Sequence, residues 1–352
     1  MVCDGFEAEK LVSWFRANRR SMPWRDDPTP YHVWVSEIML QQTRVDTVIP
    51  YYLRFTEALP DLKALASCED DRLNKLWEGL GYYSRARNLK KAAERCMEEY
   101  GGQVPDSFEA LLSLPGIGTY TAGAVASIAF HRKTPVVDGN VLRVLSRLNA
   151  SREDIRDAAV KTSLEKELRA FLQEAEQDTG EFNQALMELG ALVCVPNGAP
   201  KCAVCPWKDD CRACLEGLTD VIPVISPKEN AKTVGLTVLI YRCGKKIGLE
   251  KRPRKGLLSG LYGLPALDGK KTEQEVRAYL AEAEASYTDI IALPDARHVF
   301  THRVWDMAAY CVTLEEELPG LVFATQSELN ERYALPSAFK KWNLTELIKE
   351  LT

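Results

Sequence analysis

The stretch Leu114 to Asn140, LPGIGTYTAGAVASIAFHRKTPVVDGN, restricts the fold of this chain more than any other. It opens on a glycine turn, LPGIG, set between two apolar patterns of helical period. Gly116 and Gly118 supply the positive φ and the close backbone approach that such a turn needs. The N–H groups of the turn, with the start of the next helix, make a seat for a phosphate. Asp138 stands twenty residues beyond Gly118, behind the apolar Pro135-Val136-Val137 and before Gly139. A glycine turn alone is common and usually only a turn. The turn and the acid together, in this order, are far more specific.

The rest of the first 220 residues reads as helix. Phe6 to Arg20 is amphipathic, with Phe6, Leu11, Trp14 and Phe15 near helical spacing, and RRSMPWR stops it at Pro23. Tyr31 to Gln42 returns to an apolar helical pattern with a single acid, Glu37, inside it. Position alone favours a wet helix edge for Glu37. Burial in an apolar wall is the alternative, and it would raise the carboxyl's pKa and keep a proton on it near neutral pH. Helices continue from Pro60 to Tyr100, punctuated by GLGYYSR at Gly79 to Arg85. The adjacent tyrosines there suit either a core or a stacking platform for a base. The segment Ser84 to Arg95 carries five basic residues and one acid, which by itself reads as a solvated helix face. Further helices are expected over Phe108–Leu114, Leu142–Leu148, Ser163–Leu172 and Glu181–Cys194.

The pattern changes after Cys214. TDVIPVISPKENAKT, with Pro223 and Pro227, reads as a linker. TVGLTVLIY, KIGLEKRP and VWDMAAYCVTL are β-branched and alternating, and read as strands. Helices are expected at Thr272–Ala285 and Leu344–Leu351. The expected organisation is therefore a helical domain over 1–215, a linker over 216–232 and an α+β domain over 233–352.

At 352 residues the chain is long enough for two cores, and 46% hydrophobic content with mixed charge makes it globular. No stretch reaches the roughly 18 apolar residues of a membrane helix, and MVCDGFEAEK is no signal peptide. The expectation is a cytoplasmic protein with no membrane partner. A net charge of −5 does not suggest nucleic acid, but a local basic face escapes that sum. Cys3, Cys68, Cys96, Cys243 and Cys311 are scattered, whereas five cysteines fall between Cys194 and Cys214. In a reducing compartment such clustering argues for metal rather than disulfides. The spacing Cys194-x7-Cys202-x2-Cys205-x5-Cys211, without histidine, suits tetrahedral zinc or an iron–sulfur cluster. A single CxxC with longer, unequal outer gaps favours [4Fe–4S], and Cys214 reads as a bystander.

PWR, VSEIMLQQT, GLGYYSRARNL, LPGIGTYTAG, VVDGNVLRVLSRL, FNQALMELGA and the four cysteines together resemble the adenine DNA glycosylase (MutY) family. The likeness runs over most of residues 6–215 and continues into the C-terminal domain. It implies a two-lobed all-α helix-hairpin-helix glycosylase domain, with the hairpin at about 108–130 and a [4Fe–4S] loop over 194–211. A Nudix-like domain would follow. The implied partner is double-stranded DNA carrying adenine opposite 8-oxoguanine or guanine, with the adenine flipped into a pocket. Nothing demands more than a monomer, acting on the bacterial nucleoid.

The resemblance also assigns residues. Glu37 is the implied general acid at adenine N7, and Asp138 the carboxylate that stabilises an oxocarbenium-like sugar. Tyr120 and Asn140 position and polarise that centre. Arg20, Met22, Trp24, Arg25 and Gln184 match the adenine pocket. Gln42 and Tyr82 match residues wedged into the duplex, Leu40 lies near the same face, and Gly116 and Gly118 form the phosphate turn. The basic Ser84–Arg95 stretch then reads as a phosphate-facing surface. Phe300, Thr301 and His302 stand where the family reads 8-oxoguanine, with Thr301 in place of the common serine. The first cysteine gap is one residue longer than in the best-known members. Tyr120 occupies the position where endonuclease III relatives carry a Schiff-base lysine, so a monofunctional enzyme leaving an abasic site is expected. The competing readings are an endonuclease III-like glycosylase and lyase for oxidised pyrimidines, or a non-catalytic iron–sulfur DNA-binding protein. QEVRAYLAEAEA lacks the REUxEE acids of a Nudix pyrophosphatase, so the C-terminal domain is expected to recognise rather than hydrolyse.

Overall fold

The computed structural model describes residues 7–227 and 231–349. Phe6 and Leu351, placed in helices by their periodicity, lie outside these residues. The described residues form two compact units, one of residues 7–67 with 87–227 and one of residues 68–86 with 231–349.

The first unit is helical. In chain order it holds α1 (Ala8–Asn18), α2 (Pro23–Asp26), α3 (Pro30–Leu40), α4 (Val45–Ala58) and α5 (Leu62–Ala66). After the short α6 (Asp70–Leu76), which belongs to the other unit, the chain runs through α7 (Ser84–Glu99), α8 (Phe108–Ser113) and α9 (Thr119–Phe130). Next come α10 (Gly139–Leu148), α11 (Ala158–Glu174), α12 (Thr179–Leu192) and α13 (Arg212–Leu215). Helix starts are set by side-chain caps: Thr29 accepts from His32 N at 3.2 Å and Asp178 from Glu181 N at 2.7 Å. One core is built from α1, α10, α11 and α12, with Leu11, Phe15, Leu145, Leu168, Phe182 and Leu186 buried in it. From Val33 to Met39 every residue of α3 is buried, so this helix runs through the interior rather than along a surface.

The helical hairpin is α8, the LPGIG turn and α9. Gly116 takes φ +78, as expected, and a Cβ there would lie 2.6 Å from Asn88 Cβ of α7. Gly118 departs from expectation. It caps α9 with φ −96, an ordinary value, so its left-handed freedom is not used. What its missing side chain leaves is open space, with nothing within 4 Å of a Cβ built there.

Part of the expected linker is pinned down. Ile222 is buried, Arg147 Nε of α10 donates to its carbonyl at 2.7 Å, and Val224 bridges to Asp154. These contacts are long-range, which is why a proline-rich stretch looks detached in the sequence.

The second unit contains a mixed sheet. Its strands are β1 (Lys232–Cys243), β2 (Lys246–Lys251), β3 (Tyr262–Gly263), β4 (Ala266–Asp268), β5 (Tyr287–Val299), β6 (Arg303–Leu314) and β7 (Val322–Thr325). They run in the order β3-β2-β1-β6-β5, with β4 on β1 and β7 on β2. The central pair β1 and β6 is parallel, with Lys232 opposite Arg303 and Arg242 opposite Thr313. Alternate residues of β1 feed two cores: Val238 and Ile240 face one, Leu239 and Tyr241 the other. A strand buried on both faces reads as an unbroken apolar run, as TVLIY does. The helices are α14 (Glu273–Glu282), α15 (Gln326–Glu331) and α16 (Leu344–Lys349). The α6 segment is fastened to this unit by partly buried polar groups. Lys75 Nζ donates to Leu329 O at 3.0 Å, and Glu78 Oε1 accepts from Leu335 N at 2.9 Å.

Candidate active site

A cleft of about 690 Å³ opens in the helical unit. Its lining includes Arg20, Met22, Trp24, Arg25, Glu37, Leu40, Tyr120, Asp138, Asn140 and Gln184. Ten residues singled out from five separate sequence segments thus share one cavity.

Glu37 projects from α3 and is 6% exposed, so the wet-edge reading is corrected: the helix is buried and takes its acid with it. Its Oε2 has no hydrogen-bond partner among the described residues. Burial, opposed by the Tyr120 hydroxyl and reinforced by Asp138, pushes the Glu37 carboxyl up to about 7. Asp138 sits on the other wall as the N-cap of α10. Burial raises it as well, but three contacts favour its ionised form. Oδ1 accepts from Val141 N at 2.8 Å, Oδ2 accepts from Asn140 Nδ2 at 2.8 Å, and the Arg143 charge lies nearby. One Glu37 oxygen lacks a donor, whereas both Asp138 oxygens are held by donors, a difference that favours the proton on Glu37 and the charge on Asp138. Tyr120, from α9, donates to Met187 Sδ at 3.3 Å and faces Glu37, and burial holds its phenol well above the usual range.

Asn140 is held from behind. Arg143 Nη2 donates to its Oδ1 at 2.8 Å and to Gly190 O at 2.8 Å, while Arg143 Nε donates to Cys194 O at 2.7 Å. Gly190 lets α12 press on Asn140; a Cβ at 190 would lie 2.6 Å from Asn140 Cβ.

The opposite rim is a charged network that sequence reading found only in part. Glu188, 2% exposed, accepts from Arg20 N, Nε and Nη2, each at 2.9 Å. It also accepts from Arg25 Nη2 at 3.1 Å, and Arg25 Nε donates to Gln184 Oε1 at 3.1 Å. Burial would raise Glu188, but the two guanidiniums overturn this and hold it at about 2. Glu188 was legible as the residue four beyond Gln184, on the same helix face.

The remaining candidates are not among the residues that line the cleft. Gln42 and Tyr82 both adopt positive φ, 56° and 47°, which is rare for residues with a side chain. Within the second unit the Tyr82 hydroxyl lies 2.5 Å from Thr301 Oγ1. Thr301 and His302 are exposed on the turn between β5 and β6, and Phe300 packs edge-on against Trp305 at 4.9 Å.

Cys194, Cys202, Cys205 and Cys211 line one small cavity beside α10 and α12. Cys214, read as a bystander, lines it too and is hydrogen-bonded to Cys202. Arg147 Nη1 donates to Cys194 Sγ at 3.3 Å. Among the described residues no three metal-binding side chains converge on a single point. An all-sulfur set spread round a cavity fits a polynuclear iron–sulfur group better than one zinc ion. No helix among the described residues is long and apolar enough to cross a membrane.

The family model for HhH-GPD superfamily base excision DNA repair proteins matches residues 35–170, and a NUDIX domain model matches residues 236–343. The chain is 36% identical to the adenine DNA glycosylase of Rattus norvegicus, over 94% of this chain and 76% of that protein. It is 35% identical to the one from Homo sapiens, over 94% of this chain and 72% of that protein. A solved thermostable thymine-DNA glycosylase superposes with a TM-score of 0.54 at 28% identity, covering 59% of this chain and 95% of that one.

Proposed function

This chain belongs to the adenine DNA glycosylase family and is a DNA N-glycosylase of base excision repair, and we propose that it removes adenine paired with 8-oxoguanine or guanine. The observation that supports the chemistry is the pair of carboxyls with opposite surroundings, Glu37 buried with one oxygen unpartnered and Asp138 with both oxygens held by donors.

The adenine is flipped into the cleft, against Trp24 and Met22, with Arg25 and Gln184 at its edge. Glu37 gives its proton to N7. The bond from C1′ to N9 breaks, and its electron pair goes to the base. Positive charge then develops at C1′, where ionised Asp138 stabilises it. Water adds to C1′ and gives its proton to the carboxylate left on Glu37, which restores the acid. Asn140 holds Asp138 in place, and the Tyr120 hydroxyl orients Glu37. No amine stands at position 120, so the sugar forms no Schiff base and the product is an abasic site.

Cys194, Cys202, Cys205 and Cys211 would hold a [4Fe–4S] cluster, which when bound braces the loop after α12. Gly116 and Gly118 offer backbone donors to a phosphate, and Gln42 and Tyr82 are the side chains wedged into the duplex. The turn Phe300-Thr301-His302 reads the oxidised guanine, with Thr301 as hydrogen-bonding group.

A single-turnover assay tests this on duplexes with A opposite 8-oxoguanine, G or T, and with an oxidised pyrimidine. Excision of A opposite 8-oxoguanine, with strand breaks only after alkali, is expected. Cleavage at the oxidised pyrimidine before alkali would overturn the reading.

A further inference from the structure

Glu188 touches neither carboxyl of the pair, yet it fixes one whole wall of the cleft. Its two oxygens take both guanidiniums in fork geometry: Arg20 at 2.9 Å on each oxygen, Arg25 at 3.1 Å on Oε2 and 3.4 Å on Oε1. Arg25 is tied further by Nη1 to Arg20 O at 2.9 Å. Two cations and one anion therefore sit as a unit of net charge +1. Replacing the acid by a neutral side chain would leave +2 in the same place, next to a carboxyl that must stay protonated.

We propose that Glu188 is a positioning residue for excision: it clamps Arg20 and Arg25 against the base and screens the Glu37 carboxyl from their charge. This rests on the reading of Glu37 as proton donor. The groups that act on Glu37 are Tyr120 from α9, Asp138 from the cap of α10 and Arg25 from α2. Arg44 and Asp46, at the start of α4, share the cleft, as does His131, which is paired with Asp178 at 2.7 Å. Arg25 is the cation among the groups acting on Glu37, and it favours loss of the proton. Glu188 opposes it from a dry position, where charge is poorly screened.

The test is the pH profile of single-turnover excision, with duplex affinity measured in parallel. In the wild type the rate falls on the basic side as Glu37 loses its proton. In Glu188→Gln this limb moves to lower pH by about 0.5–1 unit, so the loss of rate is larger at pH 8 than at pH 6. Glu188→Asp keeps the charge and the wild-type limb. Arg20→Gln removes a cation and moves the limb to higher pH, and Glu188→Gln with Arg20→Gln brings it back towards the wild type. The single Arg20→Gln variant decides the question if Glu188→Gln does not fold.

A uniform loss of rate with the limb unmoved in every variant would reduce Glu188 to packing and overturn the proposal. A wild-type profile without a basic limb, or an active Glu37→Gln, would instead overturn the proton-donor reading, whatever Glu188 does.

Discussion

Helices α3 and α14 both carry carboxyls, one in each unit, and they treat them in opposite ways. On α3 Glu37 is buried, lacks a partner for one oxygen and is pushed up to about 7. On α14 Glu273, Glu275 and Glu282 are exposed. Glu275 is consumed in a capping box with Thr272, its Oε2 accepting from Thr272 N at 2.8 Å, and Glu273 pairs with Arg277 at 2.7 Å. Sequence composition rates these acids alike. The difference lies in water and partners: an acid stripped of both is reactive, and an acid supplied with both is a strut. The second unit matches a NUDIX model, and its helix spends its acids on holding itself together.

The contrast can be broken most sharply at Glu37. Glu37→Gln should lower single-turnover excision by about 10²–10⁴ while duplex binding persists, the span of a lost general acid. Excision within tenfold of wild type would mean that burial there serves packing alone.

The same substitution should strengthen the fold above neutral pH. The folded-state pKa of Glu37 lies above its unfolded value, so the folded protein binds the proton more tightly. Stability then falls as pH rises from the unfolded value towards about 7, and Gln escapes that loss. Denaturant unfolding at pH 8 should show Glu37→Gln more stable by about 2–3 kcal/mol, with the gain absent at pH 4.

Gly190→Ala probes the support behind the pair rather than the pair itself. A methyl 2.6 Å from Asn140 Cβ must displace Asn140 or α12. A melting experiment should find about 1–3 kcal/mol of destabilisation, and excision should fall on the order of tenfold at pH 6 and pH 8 alike.

In the second unit the expected effects shrink. Tyr82→Phe deletes the hydroxyl facing Thr301 and should weaken binding of the A opposite 8-oxoguanine duplex by about 0.5–1.5 kcal/mol, read by titration. Glu273→Gln with Glu275→Gln should leave excision unchanged. A loss of excision there would erase the contrast between the two helices.

Much of this was legible in residues. The LPGIG turn, the helical run of the first 220 residues and the apolar strand TVLIY follow from local period and turn chemistry, and local signals survive in a sequence. Much of the cleft was legible because the residues singled out for it sit in recognisable short segments, although Glu188 was missed. What escaped depends on contacts distant along the chain. The assignment of Cys68–Ala86 to the second unit rests on Lys75 and Glu78 meeting backbone more than 250 residues away. The burial of Glu37 depends on α9 covering α3, which the pattern of α3 alone does not contain. Strand β5 is mostly exposed and bulged opposite β6, so it lacks the alternation that marks a strand. Gly118 was misread because a turn glycine can be kept for the space beside it as well as for its φ.

Asp138 is the cap of α10 and, in the proposed mechanism, also the charge beside the reacting sugar, so its variants separate folding from chemistry. Asp138→Ala forfeits the bond to Val141 N, about 0.5–2 kcal/mol of stability, so the cell's quality control removes much of the product. Asp138→Asn keeps an oxygen that caps the helix and yields a folded protein that still finds its lesion. On the proposed mechanism this variant should bind the A opposite 8-oxoguanine duplex without excising the base, which a gel-shift and a single-turnover assay run together would read.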